Sequence, residues 1–296
     1  MKKVLITGAS GFIAHHVISA CQKRGLYVIG IDKRPVPEGH AAPDIFIQTD
    51  VRDLGFRDLM GVSYVVHLAF TTNIPNSVRH PKETTDENIG MTVHVLEIAK
   101  DAQVKKFIFP STASLYGNNP TPWKETMSME PMEPYSWQKL ACESLCRMYT
   151  RIYGVPTVVF RFFQVFGEFQ RDDTAIAAFI RLKKAGKPLT LTKTRPESKF
   201  RSSQRDFIYA GDIAEAVALA LESERTGTGE IINIASGKIN TMEEVAQAMG
   251  MSIEWIPRRE YETERHHGNI SRAKKILGWS PRVNIINWLT SYDYKK

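Results

Sequence analysis

The chain has 296 residues, 43% hydrophobic and 24% charged, with a formal net charge of +7. These proportions are ordinary for a globular protein, the length exceeds what one small core needs, and no apolar run approaches the ~18 residues of a transmembrane helix. Basic charge gathers at 195–205 and 258–265, which fits either a solvated basic surface or an anionic small-molecule ligand, and without a recognisable nucleic-acid module neither nucleic acid nor membrane is the expected partner.

Three cysteines, Cys21, Cys142 and Cys146, show no metal-ligand spacing, so no metal is expected. Cys142 and Cys146 lie four apart on one predicted helix, a geometry of buried thiols, and a cytoplasmic location follows as the expectation.

Residues 3–7 form an apolar stretch that Gly8 and Ser10 interrupt at once, which predicts a buried strand and not a leader peptide. The glycine turn Gly8-Ala9-Ser10-Gly11 leads into apolar positions Ile13, Val17, Ile18 and Cys21 at helical spacing. Strand, glycine turn and helix are the context of a dinucleotide fingerprint. Gly8 makes the turn, Gly11 admits a pyrophosphate at the positive helix end, and Ala14 stands where a third glycine is usual. A second strand, 27–31, ends in Asp32, where a carboxylate bonds an adenosine 2′-hydroxyl and repels a 2′-phosphate. That favours NAD over NADP. Lys33 and Arg34 beside it would suit the phosphate instead, and a plain turn aspartate also fits.

A third strand, 44–48, leads to Asp50 and Val51, placed to face an adenine, although Asp50 equally suits a helix cap. The fourth, 64–69, carries His67, read as a strand-end histidine and not a catalyst. A helix through Asn88, Val95 and Ala99 follows, then a strand at 107–109 that ends in Ser111 and Thr112. The next helix opens with Tyr135 and Lys139, four apart on one face. A cation stacked on a phenol lowers its pKa and makes it a general base, with Ser111 or Thr112 sharing the proton. The spacing alone equally describes a solvated helix face. With a further strand at 156–162, the alternation predicts an α/β fold, a doubly wound parallel sheet of Rossmann type with ligands at the carboxyl strand ends.

From about residue 166 the pattern changes to a helix at 175–185, a strand at 189–191, a polar basic loop at 193–204 and a short strand at 205–209. Asp212 is predicted to cap a helix over 213–221, an apolar strand spans 230–235, and Thr241 with Glu244 reads as a capping box. The expected division is a dinucleotide-binding domain at 1–165 and a smaller α+β substrate lobe at 166–296, with segments around 205–240 returning to the first.

Taken in order, TGASGFI at 7–13, Asp32, Asp50-Val51, HLA at 67–69, SVRHP at 77–81, Asn88, PSTASLYG at 110–117, YSWQK at 135–139, RFFQVFG at 161–167, RDFIYAGD at 205–212, NIASG at 233–237 and LGWSP at 277–281 resemble the extended short-chain dehydrogenase/reductase family, its nucleotide-sugar epimerases and dehydratases. The match runs over essentially the whole chain. It implies that Gly8, Gly11, Phe12 and Ile13 hold the NAD pyrophosphate, Asp32 with its neighbour Lys33 the adenosine ribose, and Asp50 and Val51 the adenine. Leu68, Ala69 and Phe70 would line the cofactor channel. Thr112 would be the catalytic Ser/Thr and Tyr135 the acid/base, with Lys139 binding the nicotinamide ribose and lowering the Tyr135 pKa. Ser77, Tyr116, Gln164, Arg205 and Arg259 would contact a nucleotide-diphosphate sugar, the two arginines as guanidinium forks on phosphate.

Some positions depart from the family pattern. Phe70 stands where a small residue is common, Gln164 replaces an Asn, and Asn269 replaces an Asp at a position expected to cap the C-terminal helix, while the loop before Arg205 lacks the usual Asp-Gly turn. Ala113 and Ser114 follow Thr112 where 4,6-dehydratases carry an Asp-Glu pair, which argues against that class. The resemblance therefore implies an NAD-dependent nucleotide-sugar 4-epimerase, acting by transient C4 oxidation and return of the same hydride. A dehydrogenase or ketoreductase using the same three residues stays open, as does a non-catalytic NAD(P)-binding role. Relatives form a homodimer through the helices that begin near Glu87 and Tyr135. Met91, Val95, Leu140 and Leu145 would serve such a seam, or equally ordinary core packing.

Overall fold

The computed structural model describes residues 1–258 and 263–294. Its first half runs β1 (Lys3–Thr7), α1 (Phe12–Lys23), β2 (Tyr27–Asp32), β3 (Ile45–Gln48), β4 (Tyr64–His67), α2 (Ile74–Arg79), α3 (Pro81–Asp101), β5 (Lys106–Thr112), α4 (Pro134–Tyr153) and β6 (Thr157–Phe162). The second half runs β7 (Gln164–Phe166), α5 (Ala175–Lys184), β8 (Leu189–Thr192), β9 (Gln204–Arg205), β10 (Phe207–Tyr209), α6 (Ala210–Glu222), β11 (Glu230–Ile234), β12 (Asn240–Thr241), α7 (Met242–Ala248), β13 (Ile253–Ile256), α8 (Ser271–Leu277) and α9 (Ile285–Ser291).

Seven strands form one parallel sheet in the order β11-β6-β5-β4-β1-β2-β3. The chain winds outward from β1 to β3, then crosses back to place β4 on the other side of β1, with Thr7 opposite His67 in register. That reversal opens a crevice at the carboxyl ends of β1 and β4, the place where open α/β sheets bind ligands. The apolar strand predicted at 230–235 does rejoin the sheet, as β11 beside β6.

Both faces of the sheet are covered, which is why its strands are apolar throughout. Side chains alternate along β1: Val4 and Ile6 join Val17, Ile18 and Val217 on the α1–α6 side, whereas Leu5 joins Val95, Leu96, Phe107, Cys142 and Cys146 on the α3–α4 side. A third cluster, with Phe166, Ile176, Leu189, Phe207, Val245 and Leu289, is the core of the smaller elements of the second half.

Two local expectations change. Asp212 does not cap a helix. α6 already starts at Ala210, and the Asp212 carboxylate accepts the backbone N–H groups of Arg282 and Val283 at 2.9 and 3.0 Å, tying the C-terminal segment to α6. Met91 and Val95 lie in the core of the single chain, 7% and 0% exposed, so their packing role is intramolecular. The capping box at Thr241 and Glu244 forms as predicted. All three cysteines are free and buried. Among the described residues no helix is long and apolar enough to cross a membrane.

Candidate active site

Phe107, Ile108 and Phe109 are fully buried in β5 and deliver Ser111 and Thr112 to the carboxyl edge of the sheet. Thr112 leaves the strand in extended conformation, and its Oγ1 accepts from Ser114 N at 3.1 Å, which turns the chain into a short 3-10 turn. α4 begins opposite. Pro134 occupies its first turn, where a missing N–H costs nothing, and Glu133 Oε1 accepts from Ser136 N at 3.0 Å as the cap. Ser77 Oγ accepts from Tyr135 N at 3.2 Å and donates to Ile74 O at 2.8 Å. The buried Ser77 thus holds the first turn of α4 from the α2 side.

So placed, the Tyr135 phenol is close enough to the Thr112 side chain to feel it, while Thr112 Oγ1 itself donates to Ser114 Oγ at 3.2 Å. Burial pushes the phenol up to about 12, the neighbouring Thr112 hydroxyl and the Arg171 charge pull against that, and Glu133 adds to the rise. This differs from the expectation that Lys139 lowers Tyr135. The Lys139 ammonium is engaged elsewhere: it donates to Pro110 O at 2.7 Å and lies 3.5 Å from the centre of the Phe70 ring and 4.6 Å from that of Phe109. Burial pushes the lysine down to about 7. Phe70 also meets the Tyr135 ring edge-on, 6.0 Å between centres, so one aromatic side chain touches both members of the pair.

One turn further along α4, Glu143 makes a bidentate pair with Arg161 of β6, at 2.9 Å from Nε and 2.6 Å from Nη2. Arg161 Nη1 donates to the Tyr116 hydroxyl at 3.0 Å, and that hydroxyl donates to Asn233 Oδ1 at 2.7 Å. All four residues are buried. The network locks α4 to β6 and β11, and it corrects the expectation for Tyr116. That side chain is 0% exposed, stacked on Trp123 with its hydroxyl saturated, and is not a substrate contact. The anchoring role of Glu143 was missed in the sequence, although its position four residues after Lys139, on the same helix face, was a signal.

On the cofactor side, Gly8 has φ +70°, and a Cβ there would lie 2.7 Å from Ala69 N, so the turn beside Leu68 and Ala69 requires glycine. α1 opens at Phe12 and Ile13 with no side-chain cap from Gly11, which leaves its N-terminal N–H groups for an anion. Asp32 Oδ2 accepts from Ser10 N at 3.1 Å and Oδ1 from Arg34 N at 2.9 Å, so the carboxylate braces the glycine turn and keeps acceptor capacity. Lys33 pairs with Glu87 at 3.6 Å, and Arg34 Nε lies 3.6 Å from Asp32. These residues fit a dinucleotide: an uncapped helix end for the pyrophosphate and a carboxylate at the ribose position. Asp50 behaves as the cap. It accepts from Arg52 N at 2.9 Å and grips the Arg52 guanidinium, which holds its carboxyl well below the usual range, while Val51 is buried beside it. His67 bridges Thr7 and Thr92 at 2.8 and 3.3 Å, and burial pushes it down to about 3, so it is a neutral structural group.

The remaining candidates lie on the second half of the chain. Gln164 is half-buried on β7, its N–H bonded to Asp206 O at 3.1 Å. Arg205 of β9 donates from Nη1 to Gln204 O at 2.9 Å and Glu264 O at 3.2 Å. Asp206 between them accepts from Ser236, Gly237 and Gly268 backbone N–H groups, and burial pushes it up to about 6. Asn269 Oδ1 accepts from Ser271 N at 3.0 Å in a turn just before α8, whose N-cap is Ile270 without a side-chain bond, so Asn269 is not the cap the sequence suggested. Arg259 lies outside the described residues.

A model of the NAD dependent epimerase/dehydratase family matches residues 4–235. A UDP-glucuronate 4-epimerase from Thermodesulfobacterium geofontis is 29% identical over 323 residues, covering 96% of this chain and 95% of its own. A Methanocaldococcus jannaschii protein described as a putative UDP-glucose 4-epimerase is 29% identical over 313 residues, with 97% and 98% coverage. Among solved structures, the UDP-glucuronic acid 4-epimerase from Bacillus cereus, in complex with UDP-glucuronic acid and NAD, superposes with a TM-score of 0.86 at 28% identity, covering 99% of this chain and 98% of that one. With the glycine turn, the carboxylate after β2 and the Thr-Tyr-Lys edge all inside the matched span, the chain belongs to the NAD dependent epimerase/dehydratase family.

Proposed function

We propose that the chain is an NAD-dependent nucleotide-sugar 4-epimerase. The observation that carries this is Tyr135 buried beside Thr112 of β5, with Lys139 one turn along α4, at the same carboxyl sheet edge as the Gly8 turn after β1. The names of the full-length relatives, 4-epimerases of UDP sugars, support it.

In this reading Gly8, Gly11, Phe12, Ile13 and Asp32 hold NAD, with Lys139 at its nicotinamide ribose. Bound NAD supplies the acceptor, and then the donor, of the C4 hydride. Tyr135 takes the proton of the sugar C4 hydroxyl while Thr112 holds the same oxygen, and Tyr135 returns that proton after the keto sugar has turned over. A phenol at about 12 is a poor base at neutral pH, so Tyr135 is activated only when positive charge comes close to it. Lys139, one helical turn away and bonded to Pro110 O, is the side chain placed to supply it when protonated. Arg205, Arg259 and Gln164 contact the nucleotide-diphosphate sugar from the lobe at 166–296, and Ser77 acts through the backbone of Tyr135.

Two exposed surfaces favour a homodimer. Trp137, Ile152 and Tyr153 on α4 are 50–58% exposed, as is Val78 on α2, an apolar face left uncovered in the single chain. Buried free thiols suit a reducing compartment, the cytoplasm.

Mass spectrometry of small molecules released from the purified, denatured protein tests the proposal. Bound NAD⁺ fits an epimerase that regenerates its cofactor each cycle. Bound NADH would favour a dehydrogenase that needs an external oxidant, and NADP would overturn the assignment of Asp32.

A further inference from the structure

Beside Arg205 a cleft of about 210 Å³ opens between the basic loop and the segment that precedes His266, lined by Thr194, Ser198, Lys199, Gln204, Glu264 and Arg265. Its charged lining residues are Lys199, Arg265 and the single carboxylate Glu264. Glu264 Oε1 accepts from Arg195 N at 2.9 Å and lies 3.6 Å from Arg195 Nε and 3.7 Å from Arg258 Nε. The backbone oxygen of the same residue accepts from Gln204 N at 2.7 Å and from Arg205 Nη1 at 3.2 Å. Arginines from three separate segments therefore converge on one residue.

The two kinds of contact differ in strength. The backbone bonds are short and fix the segment to β9. The guanidinium contacts are longer than a fork-to-carboxylate pair, share a single oxygen and involve side chains 26–54% exposed, the regime in which an ion pair contributes little and exchanges readily. A diphosphate brings more charge and more acceptor oxygens than one carboxylate, so it is the better partner for the same guanidinium groups.

We propose that Glu264 is a resident stand-in for the ligand's phosphate. In the ligand-free chain its carboxylate, which lines the cleft, holds Arg195 and Arg258 at its side, and an incoming diphosphate takes them over. This rests on the nucleotide-diphosphate reading above and adds a residue that sets affinity by competition. A ligand that must displace an internal anion binds more weakly than the cations alone would allow, by the free energy of the pair it breaks.

Glu264→Gln keeps the length, the backbone carbonyl and the neighbours, and removes only the charge. Isothermal titration of the full chain, wild type and E264Q, with UDP, inorganic diphosphate and uridine makes the test. The expected result is about two- to tenfold tighter binding of UDP and diphosphate by E264Q, with uridine unchanged. Equal or weaker diphosphate and UDP binding by E264Q overturns the proposal, and so does an E264Q chain that fails to fold, because Glu264 is then a strut. Absence of diphosphate and UDP binding in both chains also overturns it. If both chains bind diphosphate but neither binds UDP, the nucleotide reading fails while tighter diphosphate binding by E264Q still supports the stand-in.

Discussion

The Lys139 ammonium lies over the Phe70 ring, 3.5 Å from its centre. Burial penalises that charge, the nearby Glu143 carboxylate opposes the penalty, and the ring face and the Pro110 carbonyl oxygen give the ammonium direct partners. The lysine is therefore held dry and partly compensated one turn from the tyrosine it is to assist.

That placement is costly to the fold. Lys139 is 3% exposed and pushed down to about 7 from 10.5, so between those values the unfolded chain binds more protons than the native one. Native stability consequently rises with pH across that window, and the penalty is complete below about pH 7. Lys139→Met is expected to raise the melting temperature, more at pH 6 than at pH 9, while abolishing turnover. Calorimetry at the two pH values with an activity assay checks both halves.

Tyr135→Phe removes the proton-transfer group and leaves the Phe70 contact. Turnover should fall about 10²–10⁴-fold with NAD affinity retained. Thr112→Ala should cost about 10- to 100-fold, because it loses one hydrogen bond to a developing charge. Steady-state kinetics and cofactor titration on both variants separate these effects from misfolding.

The Glu143–Arg161 pair is 1–2% exposed on both sides. Glu143→Ala leaves an uncompensated guanidinium against Tyr116 and should destabilise the chain by about 3–5 kcal/mol. The double variant Glu143→Leu with Arg161→Met should recover much of that loss. Urea denaturation midpoints decide it, and equal stability of Glu143→Ala and wild type would refute the anchoring role.

At the cofactor site Asp32→Ser removes the charge that repels a 2′-phosphate, with Arg34 left nearby. The preference for NAD over NADP should fall about tenfold or more in relative dissociation constants. Fluorescence titration with both cofactors measures it directly.

Much of the site was legible in the sequence where its cause is local. The strand–glycine–helix order gave away the cradle, and Gly8 is indeed the residue that the close approach of Ala69 demands. Tyr135 and Lys139 share a helix face by their spacing, and the glycine turn and the ordered motifs around them are what single the pair out. What escaped was set by distant partners. Tyr116 is buried because Trp123, Arg161 and Asn233 close around it, and Lys139 turns aside because Phe70 comes from the loop after β4. Asp212 was misread because an acid near a helix start looks locally like a cap, while its true partners lie some 70 residues away in the chain. The departure of Phe70 from a small residue was visible; its contact with the lysine was not.

The central claim is inversion at the sugar C4 with no net redox change. Proton NMR of a UDP-hexose or UDP-hexuronate incubated with the purified chain and NAD, read alongside absorbance for NADH, tests it most directly. Conversion to the C4 epimer is expected until an equilibrium mixture is reached, without accumulating NADH and without reaction in Tyr135→Phe. Stoichiometric NADH with a keto or oxidised product, or C4 inversion that persists undiminished in Tyr135→Phe, would contradict it.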